Sequence, residues 1–338
     1  MTSVVPRLRL GIVGCGAIVR QMHLPTALRL STVSVTALVD PDVPAAAVLA
    51  AAFAVPRFAA RLAEVAADVD AVIIATPPHV RPALAREAFA SGLHVLCEKP
   101  LANTVAECAQ MVSAARTAGR VLAVGHMCRF FPVREALPTL CARHGLGAIR
   151  RVVATEGKPY DWPTATGYTV RRDVVPGGVM INAGIHTLDS LLWWFGDPVS
   201  IRYQDDSVGG LESNVRLEMT LADGVEVHFR QSRTCVLPYV IRIETEHGQL
   251  VLGTTAVDEY SVVQGGRSTV HRCGPAAVTQ EECWLGQLAD FVGSVQGGTS
   301  PRVDGTEGSR VIRLVEACYR QKQARLRPAV LPQPGLTW

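Results

Sequence analysis

The 338-residue chain predicts an α/β protein of two domains, a doubly wound parallel sheet over residues 1–125 and a mostly antiparallel sheet over 126–338, with packing of the last helices back on the first domain left open. Three observations predict it. The first part alternates short β-branched runs with longer alanine-rich segments, the grammar of strand–helix units with right-handed crossovers. Its strand-like runs are apolar throughout rather than alternating, as strands buried on both faces of a parallel sheet must be. After residue 126 strand-like segments follow one another through short turns, which reads as antiparallel pairing. The length also exceeds what one hydrophobic core usually serves.

Strands are expected at Leu8–Val13, Val33–Val39, Ala71–Ala75, His94–Cys97 and Val121–Val124, with helices near Ile18–Leu30, Pro44–Phe53, Val80–Ala90 and Thr104–Ala118 between them. In the second part the expected strands are Val152–Glu156, Ser200–Gln204, Val215–Leu221, Val225–Gln231, Val240–Glu244, Gln249–Leu252 and Tyr260–Val263. Ala222-Asp223-Gly224 and His247-Gly248 supply hairpin turns. A helix over Ala183–Phe195 interrupts the series, and helices near Glu281–Val295 and Gly308–Arg325 follow it. Val311, Leu314, Val315 and Cys318 give the last one an apolar face. A long Pro- and Gly-containing loop runs from Gly157 to Gly178, and Pro328–Trp338 reads as an extended arm.

Composition narrows the function classes. Apolar residues make up 48% and charged residues 19%, enough for filled cores. The net charge is only +3, without basic runs, which speaks against nucleic acid and anionic membranes as partners. The apolar stretch from Val43 to Val55 is too short to cross a bilayer, and strand-like residues by Leu8 leave no room for a signal peptide. Nine scattered cysteines without a CxxC fit reduced thiols in a cytoplasmic protein, and no cluster has zinc spacing.

The candidate site residues form two groups. Gly11–Val19 follows a strand and opens a helix: Gly14 permits the tight turn, and Gly16 lets a pyrophosphate approach the helix N-terminus beside Cys15, Ala17 and Ile18. Val19 replaces the third glycine of the usual fingerprint. Asp40, ending the second strand and followed by Pro41, is placed to accept ribose hydroxyls and to repel a 2′-phosphate. NAD(H) is therefore favoured over NADP(H). Thr76, Pro77 and His79 stand after the third strand, where Pro77 and Pro78 keep the backbone irregular for a nicotinamide ribose. Glu98-Lys99-Pro100 ends the fourth strand, where a cis bond before Pro100 is a device for aiming Lys99 and where Glu98 either orients the lysine or reaches the ribose. An exposed turn lysine is the alternative.

The second group follows Gly177-Gly178. Asn182, His186 and Asp189 at i, i+4 and i+7 share one helical face. An imidazole suits proton exchange with a secondary alcohol, and Asn182 can hold a hydroxyl without changing the local charge. Asp189 either orients His186 or serves structure; one His and one carboxylate make a poor metal site. In the long loop Arg171 and Arg172 are candidates for an anionic group, and Tyr160, Trp162 and Tyr168 for stacking on a sugar or base; all five serve loop packing equally well.

Gly11–Val19, Ala75–Pro78, Glu98–Pro100, Gly125–Phe130 and Gly177–Asp189, in this order, resemble the Gfo/Idh/MocA family of oxidoreductases over nearly the whole chain. The resemblance implies a Rossmann domain, then an α/β domain whose open mixed sheet mediates homodimers or homotetramers. It also implies that Lys99 polarises a substrate oxygen, that His186 is the acid/base, and that the substrate is a sugar, nucleotide sugar or cyclitol. Many members carry aspartate at the position of Asn182, so a binding role is assigned to this residue. Two other readings stay open: redox-assisted glycosidic cleavage, in which NAD is regenerated within each cycle, and a non-catalytic NAD-binding regulator.

Overall fold

The computed structural model describes residues 6–159, 167–208, 210–322 and 324–325. Tyr160, Trp162 and the Pro328–Trp338 arm lie outside them. The chain divides into two compact units, one built on the residues up to Phe130 together with Tyr168 and Thr279–Arg313, the other on Phe131–Trp162, Thr169–Val278 and the segment from Leu314.

The first unit contains a six-stranded parallel sheet. Its strands are β1 (Leu8–Val13), β2 (Val33–Val39), β3 (Arg57–Ala59), β4 (Ala71–Ile74), β5 (His94–Glu98) and β6 (Leu122–Gly125). The order β3-β2-β1-β4-β5-β6 reverses direction of growth at β1/β4, the place where such sheets bind ligands beyond their carboxyl ends. All four residues of β4 are fully buried, which explains its unbroken apolar sequence. Four helices cross between the strands: α1 (Leu24–Arg29), α2 (Val43–Ala52), α3 (Arg81–Ala90) and α4 (Val105–Ala118). Asp42 caps α2 by accepting from Ala45 N–H. Thr104 and Glu107 form a capping box at α4, which ends on Gly119 at φ 62°.

The helix expected over Ile18–Leu30 is not uniform, since Val19–His23 is a π turn ahead of α1. Val19, at the position of the missing glycine, is fully buried and opens that turn. The short edge strand β3 has too little apolar pattern to be legible in the sequence.

The second unit carries a nine-stranded sheet. Before its first strand lies α5 (Pro132–Arg143). The strands are β7 (Ile149–Gly157), β8 (Ser200–Asp205), β9 (Asn214–Thr220), β10 (Glu226–Ser232), β11 (Leu237–Thr245), β12 (Gln249–Gly253), β13 (Glu259–Gln264), β14 (Arg267–Arg272) and β15 (Ala324–Arg325). The order is β14-β13-β12-β11-β7-β10-β9-β8-β15. Pairing is antiparallel except for β7 with β10 and β8 with β15, so the sheet is mixed and open. Along β7, Val152, Ala154 and Glu156 are buried while Arg151, Val153 and Thr155 are half-buried, the period-two signature of a sheet with one covered face.

Helix α5 escaped the sequence reading because Pro138 stands inside it. A proline there leaves the carbonyl four residues earlier without its helical donor. That carbonyl, Arg134 O, accepts instead from the Trp194 indole at 2.8 Å. Val133, Leu137 and Leu140 then bury one helical face. Strand β14 was missed because its residues are polar and mostly exposed; Gly265 and Gly266, at φ 57° and 76°, form the turn that returns it onto β13.

The helix expected over Ala183–Phe195 begins as a π turn, Met180–Gly184, and continues as α6 (Ile185–Phe195). Helix α7 (Gln280–Gly297) starts with a Thr279–Glu282 capping box and places Leu288, Phe291 and Val292 in the core of the first unit. Burial of such a side chain stabilises by roughly 1.5–3 kcal/mol, which explains why this late segment groups with the early one. Helix α8 (Gly305–Arg320) begins and ends earlier than the expected Gly308–Arg325, because the chain leaves it to form β15. Among the described residues no helix is long and apolar enough to cross a membrane.

Candidate active site

In the first unit the carboxyl ends of β1, β2, β4 and β5 gather most of the predicted residues. Gly14 sits at φ 98°, and a Cβ there would lie 2.8 Å from Ala75 O, so only glycine allows this turn to pack on the end of β4. Gly16 is exposed, and a Cβ there would meet nothing within 4 Å. The helical run starts at Ala17, so the open space before Gly16 faces the N–H groups of a first turn. Those groups and that space fit the pyrophosphate of a dinucleotide.

Cys15 plays a different part. Its N–H donates inward to Asp40 Oδ2 at 2.7 Å. Its buried thiol is pushed up to about 12 by desolvation and by the Asp40 charge, so it stays protonated and inert. Asp40 also accepts from Asp42 N–H at 2.9 Å. Each carboxylate oxygen thus keeps acceptor capacity for a ribose hydroxyl. Thr76 Oγ1 is buried without a hydrogen-bond partner among the described residues. Pro77 precedes the short Pro78–Val80 helical turn, in which His79 is exposed. These features together fit an NAD-type cofactor.

Lys99 is half-buried at the end of β5, and the Lys99–Pro100 peptide is cis. Two groups that the sequence reading missed hold this motif. Arg81 is 3% exposed; its Nε donates to Thr76 O at 2.8 Å, and its Nη1 donates to the carbonyls of Glu98 and Pro100, on either side of Lys99. One guanidinium therefore ties the end of β4 to the Glu98–Pro100 turn. His23, in the π turn, is the second. Its Nε2 donates to Glu98 Oε1 at 3.0 Å, and Trp284 meets its ring edge-on at a centroid distance of 5.0 Å.

Glu98 Oε2 in turn accepts from Lys99 N–H at 3.0 Å. Burial opposes the Glu98 carboxylate. The hydrogen bond and charge of His23, with the charges of Lys99 and Arg81, outweigh it and hold the carboxyl below its ordinary value. Glu98 is therefore an anion whose two oxygens are engaged by the protein, an arrangement that fixes the backbone of Lys99. No spacing rule marks His23 or Arg81, because they reach Glu98 across 75 and 17 residues of chain.

In the second unit Asn182 lies within the π turn and His186 in the first turn of α6; both are half-buried, whereas Asp189 is 1% exposed. The three are not equally accessible: the π turn changes the helical phase between Asn182 and the rest, and Asp189 turns into the core. The His186 carbonyl accepts from Arg134 Nη1 at 3.2 Å and Ser190 Oγ at 3.0 Å. Arg134 is fully buried, so this anchor is rigid. Tyr168 is half-buried and starts a short helical turn, Tyr168–Val170. Arg172 is exposed, and Arg171 pairs with Asp173. Among the described residues no cluster of His, Cys, Asp or Glu has the makings of a metal site.

Comparison with known proteins places these features in a family. The model described as "Oxidoreductase family, NAD-binding Rossmann fold" matches residues 8–126, and that of the GFO/IDH/MocA C-terminal domain matches residues 135–254. Inositol 2-dehydrogenase 4 of Saccharopolyspora erythraea is 30% identical, the alignment covering 70% of each chain. D-xylose 1-dehydrogenase (NADP(+)) 2 of Haloferax volcanii is 26% identical, covering 93% of this chain and 97% of its own. Among solved structures, the aldose-aldose oxidoreductase of Caulobacter crescentus superposes with a TM-score of 0.83 at 24% identity, covering 93% of this chain and 97% of that one.

Proposed function

The chain belongs to the Gfo/Idh/MocA family of NAD-binding oxidoreductases, and on that premise we propose that it exchanges hydride between NAD(H) and a secondary alcohol or ketone of a sugar, nucleotide sugar or cyclitol. The observation that carries the reading is the placement of Lys99 at the ligand-binding edge of the six-stranded sheet, with Glu98 and Arg81 fixing the backbone on both sides.

When bound, the nicotinamide supplies the hydride donor or acceptor. The Lys99 ammonium polarises the substrate oxygen and favours the charge that develops there as hydride moves. His186 takes the proton from the alcohol in oxidation and returns it in reduction. Asn182 holds a neighbouring hydroxyl, and Tyr160, Trp162, Tyr168 and Arg172 contribute to the substrate side. On the cofactor side Gly14, Gly16, Ala17 and Ile18 receive the pyrophosphate, Asp40 the adenosine ribose, and Thr76, Pro77 and His79 the nicotinamide ribose. Cys15 helps only by orienting Asp40, and Glu98 by orienting Lys99.

NAD(H) is the preferred cofactor in this reading, because a 2′-phosphate meets the Asp40 carboxylate with Asp42 close behind it. The open sheet of the second unit is proposed as the surface of a homodimer or homotetramer, and the cytoplasm as the site of action.

The test is Lys99→Ala and His186→Ala, assayed with NAD+ and a panel of myo-inositol, D-xylose and D-glucose. Each substitution is expected to lower kcat by about 10²–10⁴-fold, the usual contribution of a positioned acid–base group, while NADH affinity is retained. Wild-type turnover in both variants would overturn the assignment.

A further inference from the structure

The helix that carries Asn182 and His186 has its start held from outside. Glu212, just before β9, is 3% exposed. Its carboxylate accepts from Gly178 N–H at 2.6 Å and Met180 N–H at 3.1 Å, and its own carbonyl accepts from Val179 N–H at 3.0 Å. A single residue thereby satisfies three successive N–H groups at the start of a helix that runs through the π turn into α6. The Tyr319 hydroxyl, from the end of α8, donates to Glu212 Oε1 at 2.9 Å.

The glycine pair in front of this helix has the same explanation. A Cβ at Gly177 would lie 1.9 Å from the Tyr319 hydroxyl oxygen, and one at Gly178 would lie 2.0 Å from Glu212 O. What approaches the two glycines closely is Glu212 and Tyr319. The donors from Gly178, Met180 and Tyr319 favour the Glu212 anion, as does its place at the start of a helix. Burial works the other way and pushes the Glu212 carboxyl up, the N–H groups and Tyr319 opposing it. Tyr319 itself is raised well above the ordinary phenol value by burial and by the neighbouring Glu212, so it remains a donor.

The other end of the π turn is pinned independently. A Cβ at Gly184 would lie 2.3 Å from Gln231 Oε1, and Gln231 Nε2 donates to the buried Glu156 at 2.9 Å. Arg134 and Ser190 hold the His186 carbonyl. With the far end fixed by that network, Glu212 and Tyr319 govern the near end, and Asn182 lies between the two.

We infer that Glu212, supported by Tyr319, is a positioning residue for substrate binding: through the Gly178–Met180 backbone it sets the path of the π turn and so where Asn182 and His186 are presented. The inference rests on the reading of those two residues as the substrate-facing pair.

Glu212→Gln keeps the shape but turns an NH2 group against an N–H donor. In the full chain, hydrogen–deuterium exchange of the peptide spanning Met180–Gly184 is expected to accelerate at least about tenfold, the equivalent of ~1.4 kcal/mol, while NADH affinity is unchanged. With whichever of myo-inositol, D-xylose or D-glucose the wild type oxidises, KM should rise several-fold as kcat falls. Loss of active protein alone would lower kcat and leave KM untouched. Unchanged exchange, or faster exchange with an unchanged KM, overturns the inference. If Glu212→Gln does not fold, as judged by NADH binding, Tyr319→Phe decides by the same two readouts with smaller effects in the same direction. His186→Ala separates the two levels: an inactive His186→Ala beside a wild-type-like Glu212→Gln removes only the role of Glu212, whereas a fully active His186→Ala removes the reading beneath it.

Discussion

Arg81→Lys isolates what holds the Lys99 turn in place. The variant keeps the positive charge but replaces a planar fork with one ammonium. That group cannot span Thr76 O on one side and the Glu98 and Pro100 carbonyls on the other. Hydrogen bonds from a charged donor contribute about 1.5–3 kcal/mol each, so losing two of the three predicts a cost of roughly 3 kcal/mol or more. At about 2–4 °C per kcal/mol for a domain of this size, the first unit should melt roughly 6–12 °C lower. Turnover should fall further than stability suggests, because the freed carbonyls flank Lys99 and a misplacement of about 1 Å in a reacting group costs on the order of 10²-fold. Thermal unfolding followed by circular dichroism, steady-state kinetics and NADH titration on one preparation give all three readouts. A melting point within about 2 °C of wild type together with kcat within about twofold would refute the reasoning, since it would show that the guanidinium bonds contribute nothing net.

Asp40→Ser should raise the ratio of kcat/KM for NADP+ over NAD+ by about tenfold or more, equivalent to ~1.4 kcal/mol of relieved repulsion; an unchanged ratio in paired initial-rate assays would remove Asp40 from cofactor choice. His23→Leu should make the protein more acid-sensitive. The Glu98 carboxyl lies below its ordinary value in the folded state, so its stabilising contribution is present above the unfolded value of about 4.3 and is lost as pH falls through the folded value. Without His23, burial acts with less opposition, the folded value climbs, and the loss begins at higher pH. The midpoint of acid unfolding followed by fluorescence should move up, and a midpoint that stays or moves down contradicts this account.

Much of the fold was legible because its causes are local. The strands β1 and β2 are apolar runs of the right length between turn residues, and both have the bounds that their sequence suggests. The capping boxes at Thr104 and Thr279 are likewise short-range signals. Where an element depends on a distant partner, the reading failed. Helix α5 contains Pro138 and survives because the Trp194 indole supplies the missing donor; β14 is polar and is an edge strand only because β13 accepts it. The two π turns have no compositional mark at all.

The same division runs through the site. The order Gly14–Gly16, Asp40, Thr76–Pro77, Glu98–Pro100 and Gly177–His186 determined by itself the family, the kind of fold and the residue types available for chemistry. These are properties of spacing along one chain. Tertiary structure alone decided that His23 and Arg81 hold the Lys99 turn, that the Cys15 N–H donates to Asp40, and that Gly177 and Gly178 make room for Tyr319 and Glu212. The physical reason is that a buried charge or carbonyl must find a partner wherever the fold brings one, and sequence separation places no limit on how far away that partner is.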